Sequence, residues 1–495
     1  MGQARSSDEV TVIVSVFAML PTAAPTASHR FAALLHVVHV AAALLSSVRH
    51  AALFVTSVLA VYLLQPATPI AHLDFWLPSA SLLLVVVVWC ATQPLRLEAM
   101  RETLVTAGLI AGLVLGIGAL GITTQLCCVV TRMPPPNILV VAAAVAGGVL
   151  TCILVVIVFA GHPARTTWLV FALIALLVAV KLNWPISGAD APQAETASPA
   201  PPTFATIQWL GFSYIAFRLI HALRERALGK LPVMSLREFM TYVVFFPAII
   251  AGPIDRVERF LKDLRAPFIF NMSDLVEGGR RLLIGVFKKF VIADALAIIA
   301  LNDALAVQTQ PGLWAWVLLY AYAFRIFFDF SGYTDMAIGL GRLFGIKLPE
   351  NFNRPYLKPN LTQFWNSWHM TLAQWFRTYY FNPLTRALRM RNIAPPLIIF
   401  VTQTTTMLLI GLWHGLTWNF ALWGVWHALG LFMHSRWSEF ARARFGAQDA
   451  SKLQWVTHLG GVVLTFHFVA FGWVWFALSN VETSLTFFRR LFGMP

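Results

Sequence analysis

From Pro395 to Met433 the chain reads PPLIIFVTQTTTMLLIGLWHGLTWNFALWGVWHALGLFM, and the only ionisable side chains in this stretch are His414 and His427. Because about 20 apolar residues cross the hydrocarbon core of a bilayer, the stretch is long enough for two crossings joined by a turn. Arg391 and Arg436 flank it, and basic flanks mark the cytoplasmic side of membrane helices. The stretch therefore predicts a helical hairpin that enters and leaves the membrane on the cytoplasmic side.

The rest of the 495-residue chain is similarly apolar. Hydrophobic residues make up 58% of it and charged residues 12%, with a mean hydropathy of +0.71, whereas a soluble domain carries about a quarter charged residues. This composition excludes an ordinary cytosolic enzyme, a disordered chain and a nucleic-acid binder with one basic face. We expect an all-α polytopic membrane protein with roughly ten to twelve transmembrane helices.

Basic residues outnumber acidic ones. There are 36 Lys and Arg against 22 Asp and Glu, which gives a formal net charge of +14 at pH 7. In a multi-pass protein, basic residues typically occupy cytoplasmic loops. We therefore expect a multi-pass protein of the cell membrane (inner or plasma membrane) that contacts the lipid bilayer and binds no nucleic acid.

The chain divides into three regions. Residues 1–183 carry Leu-, Val- and Ala-rich runs, which predict N-terminal transmembrane helices. Residues 184–204, WPISGADAPQAETASPAPPTF, contain no Lys or Arg and many prolines, so we expect a flexible loop outside the membrane. Residues 205–495 hold most of the informative polar groups together with the final transmembrane helices.

A short apolar segment, Thr241 to Gly252, lies between two clusters of basic residues. It is too short to cross the membrane, and its two basic flanks favour a re-entrant hairpin. Re-entrant backbone must be buried in protein or line a cavity. The segment therefore predicts an internal chamber.

Further crossings are expected on either side of a long basic region. Ile284 to Leu301 is predicted to cross outward, Leu313 to Phe330 to cross back, and Leu459 to Leu478 to form the last crossing. Residues 342–391 between them are too polar for a simple hairpin in lipid. If these residues reach the membrane, they must do so as a re-entrant or broken-helix element.

His414 is the first candidate for catalysis. Gly411 and Gly415 bracket it, which allows close approach of backbone or substrate, and Trp418 and Asn419 follow it. An imidazole, with an unperturbed pKa of about 6.5, is a natural general base at neutral pH. The alternative is a buried histidine that is bonded to a backbone carbonyl and has no chemical role.

A second group of candidates precedes this hairpin. The stretch Pro349 to Leu384 is dense in Asn, Trp and basic residues, and Phe327 to Gly345 has two carboxylates in apolar company. Ionisable groups inside a membrane are costly and usually functional. The candidates are Asn366, Trp368, His369 and Arg377 in the first stretch and Asp329 and Asp335 in the second. Gly339, Gly341 and Gly345 predict close helix packing.

Other catalytic motifs are missing from the sequence. It has no HExxH zinc motif, no GxSxG nucleophile elbow and no GxxxxGK[ST] phosphate loop. His369, His414 and His427 lack the carboxylate spacing that would support a metal site. We expect neither a metal nor a bound cofactor.

Four ordered motifs carry a resemblance to a known family. FPAIIAGPIDR, FFDFSGYTDMAIGLGRLFGIKLPENFNRPYL, FWNSWHMTLAQWFR and GLWHGLTWNFALWGVWH together resemble the membrane-bound O-acyltransferase (MBOAT) family in its bacterial branch. That branch includes alginate O-acetyltransferase membrane subunits and teichoic-acid D-alanyl transferases. The resemblance implies an MBOAT fold, with re-entrant segments around a central funnel, and makes residues 205–495 the catalytic core.

The resemblance also implies a reaction and residue roles. The reaction is acyl transfer from a thioester donor, acetyl-CoA or an acyl carrier protein at the cytoplasmic face, to a hydroxyl. The family's principal catalytic histidine falls on His414, and its second polar position falls on His369. We expect His414 to act as the base and His369 to orient the substrate or support the oxyanion. Supporting or substrate-binding roles are expected for Asn366, Trp368, Arg377, Trp418, Asn419, His427, Asp329 and Asp335.

Three alternatives stay open at this point. The first is acetylation of a cell-envelope or exported polysaccharide, with or without a second transferase outside the membrane. The second is D-alanyl transfer to a teichoic-acid-like polymer, which the Phe-Trp-Asn before Ser367 favours. The third, from another class, is a transporter or channel with re-entrant segments.

Overall fold

Helices make up all the regular structure that the described residues form. The computed structural model describes residues 48–66, 68, 70–94, 100–122, 130–131, 133–159, 162–182, 209–269, 271–445 and 454–494. The expected external loop at 184–204 lies outside these residues. Within them the all-α prediction is confirmed.

The helices are numbered here in chain order. They are α1 Val48–Leu63, α2 Leu73–Thr92, α3 Met100–Ala119, α4 Ile138–Phe159, α5 Thr166–Lys181, α6 Phe212–Ala227, α7 Leu236–Val243, α8 Val257–Arg265, α9 Met272–Val286, α10 Asp294–Ala297, α11 Asp303–Gln308, α12 Leu313–Leu343, α13 Leu361–Trp365, α14 Met370–Phe376, α15 Asn382–Met390, α16 Pro395–His414, α17 Trp418–Phe445, α18 Gln454–Ala477 and α19 Val481–Leu491. Two π-helical segments, Phe287–Ala293 and Arg377–Phe381, join α9 to α10 and α14 to α15.

Six helices in the described part of the chain are long and apolar enough to cross a membrane. They are α2, α3, α4, α12, α16 and α18, while α1 and α5 are shorter apolar helices. This finding confirms a polytopic membrane protein. The expected total of ten to twelve crossings also counts segments outside the described residues, and it stays a prediction.

Local sequence signals set several helix starts. Asn137 precedes the apolar run of α4, and its Oδ1 accepts a hydrogen bond from Leu139 N at 2.8 Å. At α7, Ser235 Oγ accepts from Glu238 N at 3.3 Å, while Glu238 Oε2 accepts from Ser235 N at 2.9 Å. Such caps satisfy backbone N–H groups that have no partner in the first turn of a helix.

Basic residues gather at one end of the helix bundle, here called the basic end. α6 ends with Arg224 and Arg226, α12 ends with Arg342, and α17 ends with Arg442 and Arg444. Because α17 runs from the turn at 415–417 to its basic residues, that turn lies at the opposite end. α16 and α17 thus form the predicted hairpin.

α9 and α12 pack with glycine facing glycine. A Cβ atom built on Gly285 would lie 2.6 Å from Gly332 O, and one on Gly339 would lie 2.7 Å from Gly278 O. The glycines of each helix are seven residues apart, about two turns, so they share one face. The predicted close packing is confirmed at Gly339. Gly345 instead ends α12 with a φ of 74°, a left-handed conformation that suits glycine.

Paired charges lie between the same two helices. Arg281 of α9 and Lys288 of the π-helical segment that follows it contact the two carboxylate oxygens of Asp335, at 2.5 and 2.6 Å. An ion pair offsets part of the free-energy cost of placing a carboxylate in an apolar environment. This pairing explains why α12 continues to Leu343, beyond the crossing that was expected to end at Phe330.

The outward crossing also differs from the predicted range of Ile284 to Leu301. The helix begins earlier, at Met272, and continues through a π-helical segment to Ala297. Arg280 and Arg281 suggested a loop before the crossing, but both lie inside α9. Pairing of basic side chains with acidic ones on the helix surface removes the reason to place them in a loop.

The segment Thr241 to Gly252 forms no spanning helix. α7 ends at Val243, and one 3₁₀ turn follows. The buried guanidinium of Arg218 donates to Val243 O at 2.9 Å and to Ala248 O at 2.8 Å. Backbone carbonyls in an apolar interior need such partners. These contacts agree with the re-entrant interpretation, while the depth of the segment in the membrane stays a prediction.

The basic region at 342–391 consists of short pieces. Three short helices, α13 to α15, are separated by turns and by a π-helical segment. Leu361, Phe364 and Trp365 of α13 are buried. The expected broken-helix element is therefore present, and it brings His369 into the interior.

Candidate active site

His369 and His414 line one cavity of about 50 Å³ inside the helix bundle. The other residues that line it are mostly aromatic or aliphatic: Ile326, Phe330, Trp365, Trp368, Leu372, Ala373, Ile410, Trp423, Trp473 and Phe476. A volume of this size holds a few water molecules. The two histidines, 45 positions apart in sequence, thus meet in one small apolar chamber, which we call the histidine cavity.

His414 is the last residue of α16. Its ring lies 4.8 Å from the ring of Phe476 and 5.6 Å from that of Trp423. A Cβ atom on Gly411 would overlap Phe420 O, so this glycine lets the first turn of α17 pack against α16. Close packing of the turn holds the imidazole at the wall of the cavity.

His369 is held by a strained backbone. Its φ is 42° and its ψ is 52°, in the left-handed region that non-glycine residues seldom adopt. Asn351 fixes the next two residues, because its O accepts from Met370 N at 3.0 Å and its Oδ1 accepts from Thr371 Oγ1 at 2.6 Å. His369 Nε2 has no hydrogen-bond partner among the described residues.

Lys181 lies beside His414 at the end of α5. Its Nζ donates to His414 O at 3.4 Å and lies 5.9 Å from the centre of the Trp413 ring. A cation at the last carbonyls of α16 satisfies an otherwise unpaired group and interacts favourably with the helix dipole. Lys181 therefore links the N-terminal helices to the hairpin of α16 and α17.

Two larger cavities lie nearer the basic end. One, of about 200 Å³, is lined by Asp255, Arg256, Arg259 and Thr371 among others. The other, of about 710 Å³, shares four lining residues with it and adds further basic groups. The shared residues are His221, Arg256, Thr378 and Tyr379, and the added cations are Arg224, Lys230 and Arg386. We call the two together the basic vestibule.

Helix α14 separates the vestibule from the histidine cavity. Its residues Leu372 and Ala373 line the histidine cavity, whereas Thr371 and Gln374 line the vestibule. One helical turn thus has an apolar side and a polar side, each facing a different cavity. This turn therefore forms part of the wall between the vestibule and the histidine cavity.

A chain of hydrogen bonds orders one wall of the vestibule. Val257 N donates to His221 Nε2 at 3.2 Å, so His221 Nδ1 carries the proton and donates to Tyr379 Oη at 2.5 Å. Tyr379 Oη then donates to Glu225 at 2.7 Å. Burial and the nearby Arg256 charge lower the pKa of His221 to about 3. His221 is therefore neutral at physiological pH, as this chain of bonds requires.

Asp255 lies at the other wall of the vestibule. Its Oδ1 contacts Arg259 at 2.6 Å, and its Oδ2 is buried without a partner among the described residues. Burial raises the pKa of this carboxyl to about 6, although Arg259 acts in the opposite direction. Among the described residues, no acidic group lies within ion-pair distance of Arg224, Lys230, Arg256 or Arg386. The vestibule thus offers unpaired positive charge.

Two histidines meet in one cavity of a bundle of membrane helices, and the sequence matches a family of membrane proteins. Residues 152–479 match the model of the MBOAT, or membrane-bound O-acyltransferase, family. The chain belongs to the MBOAT family. Among the described residues no group of three or more His, Cys, Asp or Glu side chains is arranged to hold a metal ion. Membership favours acyl transfer over a transporter or channel.

Individual MBOAT relatives resemble the chain over part of its length. It is 34% identical to a peptidoglycan O-acetyltransferase of Helicobacter pylori over 55% of this chain and 52% of that protein. It is 34% identical to a probable alginate O-acetylase of Pseudomonas aeruginosa over 57% of this chain and 51% of that protein. It is 31% identical to a teichoic acid D-alanyltransferase of Streptococcus thermophilus, over 56% and 69%. The chain thus spans about half the length of the first two.

The other residues predicted from the MBOAT motifs lie at different distances from the cavity. Trp368 lines it. His427 is fully buried behind two of its tryptophans, with ring centres 5.2 Å from Trp365 and 4.9 Å from Trp423. Neither imidazole nitrogen of His427 has a hydrogen-bond partner among the described residues. Trp418 is 80% exposed at the rim of the hairpin turn.

The remaining predicted residues contact protein groups outside the histidine cavity. Asn419 Nδ2 donates to Leu478 O at 2.8 Å and so links α17 to the end of α18. Arg377 donates to Asn366 Oδ1 at 2.6 Å on the surface. Lys289 contacts Asp329 at 2.5 Å, and Asp335 is paired as described above. Their catalytic roles stay predictions.

The structure adds residues of the candidate site that sequence reasoning did not single out. Trp365, Trp423 and Trp473 line the cavity, but tryptophans in membrane helices usually belong to an interfacial belt or a core. Asn351 lies inside the second of the four motifs quoted above. The signal that could have found it is a polar amide between Glu350 and Phe352 in a segment that is not helical. Lys181 had no signal, since its contact with His414 joins two distant parts of the chain.

Proposed function

We propose that this protein is an integral-membrane O-acyltransferase of the cell membrane that transfers an acetyl group from a thioester donor to hydroxyls of a cell-envelope or exported polysaccharide. The observation that carries the proposal is the meeting of His369 and His414 in one cavity within a membrane-spanning bundle of the MBOAT family. A neutral imidazole in such a place can accept the hydroxyl proton that acyl transfer releases.

In this proposal His414 is the general base. It takes the proton of the acceptor hydroxyl as the oxygen attacks the thioester carbonyl, and it returns the proton to the leaving thiolate. His369 orients the acceptor or supports the charge on the carbonyl oxygen. The apolar lining of the cavity keeps competing water low and strengthens polar interactions with the reacting groups.

The donor is proposed to enter through the basic vestibule. By the positive-inside rule the basic end faces the cytoplasm, where acetyl-CoA and acylated carrier proteins occur. Both donors present a thioester on a phosphopantetheine arm, and unpaired Arg and Lys side chains attract its phosphates. The acceptor would then approach from the opposite end, near Lys181 and the hairpin turn, alone or on a second transferase outside the membrane.

A second candidate is D-alanyl transfer to a teichoic-acid-like polymer, with a carrier protein docked at the vestibule. The observation that favours it is coverage: the chain spans 69% of one teichoic acid D-alanyltransferase and 71% of another, from Bacillus subtilis. The two candidates share the cavity and the histidine roles. They differ in the ester that the envelope polymer carries.

The test is the acyl content of the envelope polymers in cells that carry wild-type protein or His414→Ala. We expect ester-linked acetyl, released by mild base and identified by mass spectrometry, to disappear with His414→Ala, because loss of a general base costs about 10²- to 10⁴-fold in rate. Released D-alanine would instead support the second candidate.

The matched control is His434→Ala. This histidine lies in the same helix as His427 but bonds Thr362 Oγ1 at 3.1 Å, away from the cavity. The control should keep wild-type acylation. Unchanged acylation in His414→Ala, with the protein folded and inserted, would reject the proposed role of this residue.

A further inference from the structure

The buried indole N–H groups of this protein fall into two sets. Most donate to a protein oxygen: Trp89, Trp209, Trp316, Trp375, Trp426 and Trp473 have acceptors at 2.8 to 3.2 Å. The indole nitrogens of Trp365, Trp413, Trp423 and Trp475 are buried without a partner among the described residues. Buried tryptophans normally find an acceptor, so the second set requires an explanation.

Two members of the second set line the histidine cavity. They are Trp365, which is 9% exposed, and Trp423, which is 1% exposed. Their ring centres are 5.7 Å apart, and that of Trp423 is 5.6 Å from His414. Two unused donors thus belong to residues that line the histidine cavity, and the ring of one of them, Trp423, contacts the candidate base.

Two other residues near the cavity differ from this pair. Trp473 lines the same cavity, but its N–H donates to Tyr356 Oη at 3.1 Å. His427 also lacks partners, yet it lies behind Trp365 and Trp423 and does not line the cavity. Among the described residues that line the cavity, Trp365, Trp423 and His369 are the ones with a fully buried side-chain nitrogen that lacks a hydrogen-bond partner.

We propose that the indole N–H groups of Trp365 and Trp423 donate to the thioester carbonyl oxygen and stabilise the negative charge that it gains during transfer. This inference rests on the proposed function. An indole N–H suits the task because it is a donor only and carries no charge of its own. Donors that are already in place and await an acceptor require no reorganisation when the charge forms.

Bonds, electrons and protons balance in this step. The acceptor oxygen forms a bond to the carbonyl carbon, its proton passes to His414, and the carbonyl π electrons move onto the oxygen held by the two indoles. The oxygen electrons then re-form the carbonyl as the carbon–sulfur bond breaks. The thiolate takes the proton from His414. The products are an ester and a free thiol.

The experiment measures thiol release from acetyl-CoA by the full-length protein in proteoliposomes, with alginate oligosaccharides or peptidoglycan fragments as acceptors. Trp365→Phe and Trp423→Phe keep an aromatic ring but remove the N–H. We expect kcat to fall about 10²- to 10³-fold for either variant, as for other oxyanion donors, with KM for acetyl-CoA changed by about threefold or less. A residue with only a packing role would lower the yield of folded protein without this kcat effect.

The matched control is Trp426→Phe. Its indole donates to Phe468 O at 2.9 Å, and it lies outside the cavity lining. Its kcat should stay within about twofold of wild type. If a phenylalanine variant fails to fold, the same position is filled with benzothienylalanine, a tryptophan isostere whose ring sulfur replaces the N–H. We expect the isostere to reproduce the loss in kcat.

The outcomes separate two failures. Absence of thiol release by the wild-type protein, or full release by His414→Ala, would reject the proposed function and this inference with it. Wild-type kcat in folded Trp365→Phe and Trp423→Phe, or in their isosteres, beside an inactive His414→Ala would overturn this inference alone.

Discussion

His369 has a backbone conformation that costs a non-glycine residue about 1–3 kcal/mol. Such strain persists only where neighbouring contacts impose it, and here Asn351 imposes it through the next two residues, Met370 and Thr371. The conformation turns the chain at the start of α14 and brings the imidazole to the histidine cavity. The position of His369 therefore depends on Asn351, a residue well before it in the sequence.

Asp255 gives a prediction about pH. A carboxyl whose pKa is raised to about 6 by burial binds its proton more tightly in the folded state than in the unfolded chain. The stability that this binding contributes is complete below the unfolded value of 3.8 and is lost as pH rises through 6. A difference of one between the folded and unfolded pKa changes the free energy of unfolding by about 1.4 kcal/mol. We therefore expect this carboxyl to lower the free energy of unfolding between pH 4 and pH 7.

Asp255→Asn provides the comparison. An amide cannot ionise, so the free energy of unfolding of the variant should lack this part of the pH dependence. Between pH 4 and pH 7 it should therefore fall less than that of wild type. Thermal unfolding in detergent at a series of pH values measures the effect. Parallel stability curves for the two proteins would contradict the prediction.

At the residue scale, sequence reasoning found the ionisable groups more readily than their neighbours. His369, His414 and Trp368 were predicted, and all three line the cavity. A histidine in an apolar run stands out because burying it is costly, whereas Trp365 and Trp423 resemble ordinary apolar residues. Whether an indole N–H has a partner depends on tertiary contacts, which no local pattern records.

At the scale of elements, the pair α9 and α12 combines tight packing with buried charge. Glycine pairs let the two backbones approach, and Arg281 and Lys288 then reach Asp335. The two features depend on each other, because short distances between backbones bring the side chains within ion-pair range. α12 in turn supplies Ile326 and Phe330 to the histidine cavity.

Gly285→Ala tests this packing. A Cβ atom would lie 2.6 Å from Gly332 O, too close for any real contact, so the helices must separate. We expect a loss of about 1–3 kcal/mol in the free energy of unfolding, together with lower activity, because Ile326 and Phe330 move with α12. The measurement is thermal unfolding in detergent.

Gly279→Ala is the matched control in the same helix. A Cβ atom at Gly279 has no neighbour within 4 Å, and alanine is the better helix former by about 0.5–1 kcal/mol. This variant should be as stable as wild type or more so. Equal destabilisation by both substitutions would mean that the close approach of α9 and α12 does not govern stability.

Element prediction succeeded where hydrophobicity alone decides and failed where charges were paired. The hairpin of α16 and α17 agrees with the sequence pattern. α9 and α12 extend beyond their expected crossings because Arg281, Lys288 and Asp335 neutralise one another inside the helices. A single sequence shows charges but not their partners, so Arg281 was expected before the outward crossing and Asp335 beyond the end of the returning one.

At the scale of the whole molecule, the two cavities lie in series between the ends of the bundle. The basic vestibule opens near the basic end, and the histidine cavity lies beyond α14 toward the turn at 415–417. This order agrees with the expectation that donor and acceptor reach His414 from opposite sides.

Sided labelling tests that arrangement. Thr378→Cys lines the vestibule and Trp418→Cys lies at the opposite rim. We expect a membrane-impermeant thiol reagent to label Thr378→Cys only from the cytoplasmic face, which inverted vesicles expose. The same reagent should label Trp418→Cys only from the other face, which whole cells expose. Wild-type protein, with its own four cysteines, gives the background. Labelling of both positions from one face would exclude the two-sided arrangement.

The alternation along α14 has a consequence for how such enzymes diversify. Neighbouring positions of one short helix face different cavities: 372 and 373 face the histidine cavity, while 371 and 374 face the basic vestibule. A point substitution at one pair can change the lining of one cavity and leave that of the other unchanged. Inserting one residue, by contrast, rotates the following side chains by about 100° and would alter both surfaces together. The linings of the two cavities can therefore change one at a time by substitution in α14, whereas a change in its length affects both.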